Sequence, residues 1–336
     1  MTDARSPHRI AVIGAGGMGS FHARTLAGIP RAHVALIADP FGDAAATLAA
    51  EFGAEFSLDP MQAAVADGID AVVIALPDET HAELTLAAMA AGKRVLCEKP
   101  LATTVADCQA VVDAEVALGR RVVQVGFMRE YDVPHRQVVD AMAADVAAGT
   151  PLHLLRSLHR NTNADSRTDL AVVGQSIVHD LHSIRFMSGR EIGAVTAYAA
   201  RRDDGGLVHV VLMCELEAGG HGLVEFDDDG FAYEVMVDVT IGHSTITTAG
   251  PVRATERRDA GVTQTIGRDW FGWFADAYRI QDRAWVASLG DQTASGPSTW
   301  DGLAAQVVVE AALASLQDGS RQPVALPVRP ELFDAG

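Results

Sequence analysis

The feature that most constrains the fold is a glycine-rich turn that follows an apolar segment near the N-terminus. Residues 10–13 are apolar, and the turn after them reads Gly14-Ala15-Gly16-Gly17-Met18-Gly19. In a GxGxxG turn the first glycine permits the tight bend, the second lets the backbone approach a pyrophosphate, and the third lets the helix pack on the strand. Unpaired N–H groups at the helix start then face the phosphate oxygens. The pattern predicts a dinucleotide site contacted by Gly14, Gly16, Gly17, Met18 and Gly19.

An isolated acid lies where such a site requires one. Residues 34–38 form a second apolar segment that ends at Asp39, 20 residues after Gly19. A carboxylate at this strand end accepts hydrogen bonds from both ribose hydroxyls and repels a 2′-phosphate. Pro40 follows, with no arginine beside it to bind such a phosphate. The sequence therefore predicts NAD as the cofactor in preference to NADP.

Apolar and amphipathic segments alternate over the first third of the chain. Strands are predicted at residues 10–13, 34–38, 71–76, 95–97 and 122–125. Helices are predicted between them, at residues 18–26, 43–51, 61–66, 79–91 and 105–118. Strands that alternate with helices form a parallel sheet covered on both faces. We therefore predict an α/β protein with an N-terminal Rossmann domain at residues 1–126.

The pattern changes after residue 126. A helix is predicted at residues 134–147, a strand at 152–158, a polar loop at 160–169 and a helix at 176–187. Five β segments then follow one another, at residues 194–200, 208–217, 222–226, 235–240 and 244–248, before two helices at 270–289 and 300–316. Consecutive strands without helices between them pair largely antiparallel. Residues 127–336 are thus predicted to form an α+β domain with a large, open-faced, mostly antiparallel sheet.

The open face of that sheet predicts self-association. The C-terminal helices can cover only one face. Val208, Val210, Val211 and Leu212 place apolar side chains on both faces of one strand. A second subunit is the simplest cover for the other face, so we expect a homo-oligomer, a dimer or a tetramer.

Composition excludes several classes of partner. The 336 residues carry a net charge of −18, which repels nucleic acids and anionic membranes. No stretch reaches the ~18 apolar residues of a membrane span, and the first residues lack a secretory signal pattern. The three cysteines, Cys97, Cys108 and Cys214, have neither metal-site nor disulfide-framework spacing. The sequence predicts a cytoplasmic protein without a bound metal.

Two predicted strand exits carry residues capable of chemistry. They are Ala75-Leu76-Pro77-Asp78-Glu79-Thr80-His81 and Cys97-Glu98-Lys99-Pro100. In open α/β sheets ligands bind at the carboxyl ends of the strands. A Glu-Lys-Pro tripeptide after a buried strand, downstream of a dinucleotide turn, resembles the Gfo/Idh/MocA family of sugar and cyclitol dehydrogenases. The segments at residues 126–132, 159–161, 175–185 and 300–302 resemble those of its myo-inositol 2-dehydrogenases.

The resemblance implies roles for individual residues. Lys99 matches the lysine that hydrogen-bonds the reacting oxygen, His179 matches the general acid/base, and Gln175 occupies the third catalytic position. Pro77, His81, Glu98 and Lys99 are implied at the cofactor. The residues implied at the polyol or sugar substrate are Lys99, Met128, His159, Asn161, Gln175, His179, His182 and Tyr233.

The chemistry explains these residue types. When NAD oxidises a secondary alcohol, a hydride moves to the nicotinamide and a base takes the hydroxyl proton. Histidine titrates near neutrality and can do so reversibly. The same residues also allow a purely structural interpretation. Lys99 would then be a surface lysine, His179 a core histidine, and His159 with Asn161 the start of a loop.

Two positions depart from the family pattern. The family has aspartate four residues before and three residues after the catalytic histidine, where this chain has Gln175 and His182. Both changes remove negative charge. Besides a cyclitol dehydrogenase, the sequence therefore allows a dehydrogenase for another sugar, an aminocyclitol or an acidic polyol such as a uronate. It also allows a weakly catalytic sensor that binds NAD and a sugar.

Overall fold

Six short segments in the first 125 residues pair as one parallel sheet. The computed structural model describes residues 6–163, 165–248, 254–258, 261–265, 269–291 and 293–334. The strands are β1 (His8–Ile13), β2 (Ala32–Ala38), β3 (Glu55–Ser57), β4 (Ala71–Ile74), β5 (Arg94–Cys97) and β6 (Val123–Val125). Their order, β3-β2-β1-β4-β5-β6, is that of a Rossmann fold. The predicted α/β class is confirmed.

The helices of this region lie between the strands. They are α1 (Gly17–Ala27), α2 (Gly42–Phe52), α3 (Pro60–Ala64), α4 (His81–Ala90) and α5 (Val105–Leu118). The side chain of Thr104 accepts a hydrogen bond from the N–H of Asp107 and so begins α5, which ends at the left-handed Gly119. The strand β3 was not predicted, because three residues at a sheet edge are too short to show a pattern.

After residue 127 the chain forms longer strands and fewer helices. The helical elements are α6 (Val133–Ala147), α7 (Asp169–Ala171), a π-helical segment (Val172–Ile177), α8 (Val178–Ser188), α9 (Trp270–Ser288) and α10 (Thr299–Asp318). The strands are β7 (Leu152–Thr162), β8 (Ile192–Arg201), β9 (Leu207–Leu216), β10 (His221–Asp227), β11 (Asp229–Ile241), β12 (Ser244–Thr247), β13 (Ala254–Arg258), β14 (Gly261–Thr265) and β15 (Gln322–Pro323). Because β7 continues to Thr162, the loop predicted from residue 160 begins later.

Seven of these strands form the second sheet, in the order β12-β11-β7-β10-β9-β8-β15. β7 pairs parallel with β10, and the other ladders are antiparallel. The prediction of a mostly antiparallel sheet is confirmed. The hairpin of β13 and β14 was not predicted and pairs apart from this sheet.

The two faces of the second sheet differ. Along β11, Val235, Val237 and Val239 are buried, whereas the alternate residues between them are half-buried. Helix α8 packs on the buried face: a Cβ added at Gly222 would lie 2.8 Å from Cγ2 of Ile184. A strand whose alternate residues differ in this way has one face in the core and one toward solvent. The sheet is therefore open-faced, as predicted.

The chain divides into two compact units. Unit 1 comprises Met1–Phe127, Tyr278–Gln306 and Pro327–Gly336, and unit 2 comprises Met128–Ala277 and Val307–Leu326. The sequence predicted that all of residues 127–336 form the second domain, whereas Tyr278–Gln306 and Pro327–Gly336 belong to unit 1. Trp285 and Val286 of α9 belong to the same buried cluster as Ile10 and Val12 of β1. An amphipathic pattern shows that a helix face is buried but not which sheet covers it, which explains the difference.

Candidate active site

The glycine turn of unit 1 has the geometry of a dinucleotide site. Gly14 has φ +113°, and a Cβ there would lie 2.3 Å from the carbonyl oxygen of Ala75. A Cβ at Gly19 would lie 1.8 Å from the carbonyl oxygen of Gly14. By contrast, a Cβ at Gly16 or Gly17 would meet no protein atom within 4 Å. The first and last glycines are thus required by packing, and the middle two face space that a pyrophosphate can enter.

The start of α1 leaves backbone donors for a ligand. The helix begins at Gly17, and its N-cap Gly16 supplies no side-chain hydrogen bond. Met18 is half-buried in the first turn. The N–H groups of a first helical turn have no partner within the helix and favour a bound anion.

Asp39 fixes the turn and faces the same edge of the sheet. Its Oδ2 accepts the N–H of Ala15 at 2.7 Å, and its Oδ1 accepts the N–H of Phe41 at 2.8 Å. The residue is 6% exposed. Because a carboxylate has about four acceptor sites, capacity remains for the ribose hydroxyls.

His81 joins two strand exits of unit 1. Its Nδ1 lies 2.7 Å from the carbonyl oxygen of Pro100, and its Nε2 lies 2.9 Å from that of Leu76. Carbonyl oxygens only accept, so both ring nitrogens carry protons. Pro77 precedes the 3₁₀ turn Asp78–Thr80, which leads into α4. His81 was predicted at the cofactor, and the structure gives both of its nitrogens to the loops; direct contact with the cofactor stays a prediction.

Lys99 lies two residues after the end of β5 and is half-buried. Only two of the 26 lysine and arginine residues are lysines, Lys93 and Lys99. The Nζ of Lys93 donates to the carbonyl oxygens of Ala66 and Ile69 at 2.8 and 2.7 Å. Arginine remains charged in proteins and presents a broad planar fork, whereas lysine is a compact donor whose pKa can shift. Nearly all basic residues of this chain are arginines, yet the residue near the end of β5 is a lysine, which is the side chain suited to a compact donor.

The neighbouring Glu98 contacts protein groups. It is 5% exposed, and its Oε2 accepts the N–H of Lys99 at 3.2 Å. A Cβ at Gly126 would lie 2.8 Å from Oε1 of Glu98, so a side chain at 126 would displace the carboxylate. Glu98 was predicted at the cofactor; the structure shows a buried carboxylate beside the backbone of Lys99.

In unit 2, His179 lies in the first turn of α8 and is 7% exposed. The preceding Gln175 is exposed and belongs to the π-helical segment, whose hydrogen bonds run from i to i+5. The α-helical i, i+4 spacing expected for this pair is therefore widened by the π turn. The Nη2 of Arg167 donates to Oε1 of Gln175 at 3.5 Å, the limit of a hydrogen bond.

Asp180 is the centre of a buried polar network beside His179. It accepts hydrogen bonds from Nη1 of Arg129 at 2.6 Å, Oγ of Ser157 at 2.7 Å and Nδ1 of His159 at 2.7 Å. Burial opposes its charge, but Arg129 and His159 outweigh burial and lower the pKa of Asp180. Burial lowers the pKa of His159 more than Asp180 raises it, so its imidazole is neutral.

The remaining predicted substrate residues lie around this network. Tyr233 is buried, its ring centroid lies 5.5 Å from that of His159, and burial raises its pKa. Nδ2 of Asn161 donates to Oγ of Ser176 at 3.2 Å. Nε2 of His182 lies 2.9 Å from Oε1 of Glu130. Met128 is buried in the 3₁₀ turn Met128–Tyr131. His159 and Asn161 lie within β7, which rules out the alternative of a loop start.

Sequence reasoning missed Arg129, Ser157 and Asp180. Each lies inside or beside a segment already singled out. For Arg129 and Asp180 the available signal was a charged residue next to apolar ones, and Ser157 gave no such signal. Asp180 is such a residue: it lies between Val178 and Leu181 on α8 and is fully buried. Charged groups are almost never fully buried unless paired, and this rule would have called for a partner such as Arg129.

Comparison with known proteins places the chain in a family. Residues 8–127 match the family GFO_IDH_MocA, described as "Oxidoreductase family, NAD-binding Rossmann fold". Inositol 2-dehydrogenase 2 of Saccharopolyspora erythraea is 38% identical over 334 residues, which cover 96% of this chain and 97% of that protein. The chain belongs to the Gfo/Idh/MocA oxidoreductases. Inositol 2-dehydrogenase of Rubrobacter xylanophilus is 37% identical over 332 residues, which cover 96% of this chain and 95% of that protein.

Solved structures share the fold of this Gfo/Idh/MocA chain. Myo-inositol dehydrogenase from Lactobacillus casei, in complex with NAD(H) and myo-inositol, superposes with a TM-score of 0.92 at 23% identity and covers 97% of this chain and 99% of its own. Myo-inositol dehydrogenase from Corynebacterium glutamicum gives a TM-score of 0.85 at 24% identity and covers 96% of this chain and 100% of its own. At these identities the likeness establishes the fold.

The described residues contain neither a membrane-spanning helix nor a cluster of metal ligands. No helix among them is long and apolar enough to cross a bilayer. Within the same residues, histidine, cysteine and acidic side chains form no group of three or more that could hold a metal ion.

The buried pair of Arg129 and Asp180 gives a testable prediction. Asp180→Asn removes the charge that offsets a guanidinium only 1% exposed, so we expect a loss of about 3–5 kcal/mol in the free energy of unfolding. Urea unfolding measures it. Arg24→Gln breaks an exposed ion pair with Glu51 and serves as the control that leaves stability unchanged. Equal free energies of unfolding for Asp180→Asn and wild type would show that Arg129 and Asp180 do not form a stabilising ion pair.

Proposed function

We propose that this chain is an NAD-dependent dehydrogenase that oxidises a secondary hydroxyl of a cyclitol to a ketone, with inositol as the first substrate to test. The observation that carries the proposal is the retention of Lys99 at the exit of β5 in a chain with only two lysines. The glycine turn with its open Gly16 and Gly17 supports the cofactor. The substrate is suggested by the curated relatives, which are named inositol 2-dehydrogenases.

The chemistry divides between a donor and a base. Bound NAD supplies the hydride acceptor, while Asp39 and the α1 N-terminus hold its ribose and pyrophosphate. Lys99 donates a hydrogen bond to the reacting oxygen and stabilises the negative charge that develops on it. His179 takes the hydroxyl proton as the carbonyl forms and returns it in the reverse direction.

The neutral imidazole of His159 contributes to substrate binding in this proposal. Its Nδ1 proton is held by Asp180, which fixes the ring orientation. Asn161, on the same face of β7, adds an amide that both donates and accepts. Met128, His182 and Tyr233 are proposed to complete the contacts to the ring of the substrate. Such mixed donors and acceptors suit a polyol, in which every hydroxyl both donates and accepts.

The proposal is tested by the formation of NADH with a panel of inositols, aminocyclitols, aldoses and uronates. Lys99→Ala and His179→Ala should each lower kcat by about 10²–10⁴-fold with the best substrate, because each removes a group that acts on the reacting atoms. His33→Gln, an exposed histidine of unit 1, is the matched control and should leave kcat unchanged. Binding of NAD and a polyol without NADH formation would instead identify a sensor.

Gln175 favours a second candidate, an acidic polyol. The position that is aspartate in the family is here an amide that accepts from the guanidinium of Arg167, so the local charge is no longer negative. Loss of a carboxylate lowers the cost of bringing a substrate carboxylate nearby.

Gln175→Asp tests this candidate. If the substrate is acidic, the new carboxylate should raise its KM through like-charge repulsion while leaving neutral cyclitols unaffected or improved. The comparison is KM for an acidic and a neutral polyol in both proteins. Unchanged rates on the whole panel would remove both the acidic substrate and the idea that a missing carboxylate limits turnover.

We also propose a homo-oligomer formed through the open face of the second sheet. Tyr198, Val211, Met213 and Leu223 lie on this face in cross-strand register and form what we call the open-face patch. Tyr198 is 63% and Met213 36% exposed. An apolar patch of this kind, with the ion pair of Arg156 and Glu225 beside it, suits a second copy of the same chain.

Light scattering after size exclusion tests the oligomer. Tyr198→Glu combined with Met213→Glu should shift a dimer or tetramer to smaller species, because it buries like charges across a symmetric contact. Val328→Glu, at a residue 92% exposed in unit 1, is the control. A wild-type monomer at micromolar concentration would refute the proposal.

A cytoplasmic location is part of the same proposal. Cys97, Cys108 and Cys214 are buried and form no disulfide bond, as in proteins of reducing compartments. Dependence on NAD points the same way. Detection of the protein outside the cytoplasm by cell fractionation would contradict it.

A further inference from the structure

A cluster of three buried charged side chains lies next to the backbone of Lys99 in unit 1. Nδ1 of His22 lies 2.9 Å from Oδ1 of Asp282, and Nε2 of His22 lies 3.1 Å from Oε1 of Glu98. His22 and Asp282 are fully buried, and Glu98 is 5% exposed. The redox chemistry proposed above uses neither His22 nor Asp282, yet burying three charged groups is costly. A cluster of this cost is expected to have a structural or functional role.

The imidazole of His22 is positively charged. Both of its nitrogens face carboxylate oxygens, which accept hydrogen bonds, so both must donate. Burial opposes this charge, but Asp282 and Glu98 outweigh burial and raise the pKa of His22 to about 10. The ring thus stays an imidazolium bridge between two carboxylates at neutral pH.

The bridge leads to the backbone of Lys99. Oε2 of Glu98 accepts the N–H of Lys99 at 3.2 Å, while Oε1 of Glu98 faces His22. On the other side of Lys99, the carbonyl oxygen of Pro100 accepts from Nδ1 of His81 at 2.7 Å. Lys99 therefore lies between two hydrogen-bonded backbone groups. Its own N–H is bound to Glu98, which contacts His22, and the carbonyl oxygen of the next residue, Pro100, is bound to His81. The position of its main chain sets where the amine can reach.

We propose that His22 and Asp282 are positioning residues that hold Glu98, and through Glu98 the backbone of Lys99, in the geometry needed for hydride transfer. Asp282 orients the imidazolium, the imidazolium fixes one oxygen of Glu98, and the other oxygen holds the N–H of Lys99. The catalytic consequence rests on the proposed function, because it matters only if Lys99 acts on the substrate. The structural part, a held Lys99 N–H, stands without it.

Removal of either residue is expected to loosen this arrangement. Without His22, the buried carboxylate of Glu98 loses its main counter-charge and is free to turn away. Without Asp282, the imidazole loses the carboxylate that orients it toward Glu98. Either change weakens the hydrogen bond from the N–H of Lys99 to Glu98. A displacement of about 1 Å in a catalytic group can cost about 10²-fold in rate. In the proposed function the ribose and pyrophosphate of NAD are held by Asp39 and the glycine turn, neither of which belongs to this network.

Kinetics of His22→Gln and Asp282→Asn test the proposal. Both should lower kcat by about 10²-fold with KM for NAD unchanged, because the amine is misplaced while the dinucleotide site persists. Asp282→Asn changes a charge and almost no volume, so it carries the test if His22→Gln fails to fold. Wild-type kcat in folded Asp282→Asn would overturn the proposal.

Glu115→Gln is the matched control. Glu115 is a fully buried carboxylate of unit 1 that accepts from the N–H of Val123 at 2.8 Å and from Oγ1 of Thr299 at 2.6 Å. Its substitution should lower the unfolding temperature as the others do and leave kcat unchanged. An equal loss of kcat in Glu115→Gln would show that general destabilisation, and not positioning, explains the effect.

A second readout does not require activity. With only two lysines in the chain, ¹⁵N-lysine labelling yields two backbone amide signals, from Lys93 and Lys99. The N–H of Lys93 is held by the carbonyl oxygen of Ala88 at 2.9 Å and serves as the internal reference. The Lys99 amide should exchange slowly with solvent in wild type and in Glu115→Gln, and rapidly in Asp282→Asn.

The two readouts separate the two claims. Slow exchange of the Lys99 amide in wild type, with no dehydrogenase activity on any polyol, would leave the positioning network standing and refute the proposed function. Rapid exchange of the Lys99 amide in wild type would overturn the network even if the protein proves to be a dehydrogenase.

Discussion

The register of the parallel sheet is the constraint on which the rest of unit 1 depends. Ile13 of β1 pairs with Ala38 of β2 and with Ile74 of β4, Ile74 pairs with Cys97 of β5, and Cys97 pairs with Val125 of β6. The five strands therefore end side by side. The residues that follow them are the ones that carry the proposed chemistry or its support, namely Gly14, Asp39, Ala75, Glu98 and Gly126. A slip of one residue in any ladder would remove its contribution from this edge.

Backbone contacts transmit this alignment to the turns. The N–H of Gly14 donates to the carbonyl oxygen of Ala38 at 2.7 Å, and the N–H of Glu98 donates to that of Ile74 at 2.9 Å. The missing side chains of Gly14 and Gly126 then allow the turn to pass Ala75 and the Glu98 carboxylate to lie against the backbone. By contrast, a Cβ at Gly16 or Gly17 would meet no protein atom within 4 Å, and the open space there has room for a ligand.

Each unit also builds a buried charged cluster around a histidine, with opposite results. His22 lies between two carboxylates and is held as an imidazolium, whereas His159 shares Asp180 with the guanidinium of Arg129 and stays neutral. The balance of neighbouring charges decides the protonation state, since both rings are equally buried. A histidine side chain therefore serves as a cationic bridge in unit 1, at His22, and as a fixed neutral ring in unit 2, at His159.

The sequence predicted local patterns well and long-range pairings poorly. The glycine turn, the alternation of strands and helices, and the antiparallel run after residue 190 each follow from periodicity or a short motif, and the structure has them. The contact of Asp282 with His22, 260 residues apart, leaves no local signal. The same holds for Arg129 with Asp180, and for Trp285 in the core of the first sheet. The π turn at Gln175 was also hidden, because its residues have ordinary helical spacing.

The proposed chemistry is tested most directly by a crystal structure of this protein with NAD and an inositol bound. We expect the pyrophosphate to lie over Gly16 and Gly17. We also expect the Nζ of Lys99 and an imidazole nitrogen of His179 to lie within hydrogen-bond distance of one hydroxyl oxygen. A bound inositol whose hydroxyls contact neither Lys99 nor His179 would contradict the proposed chemistry.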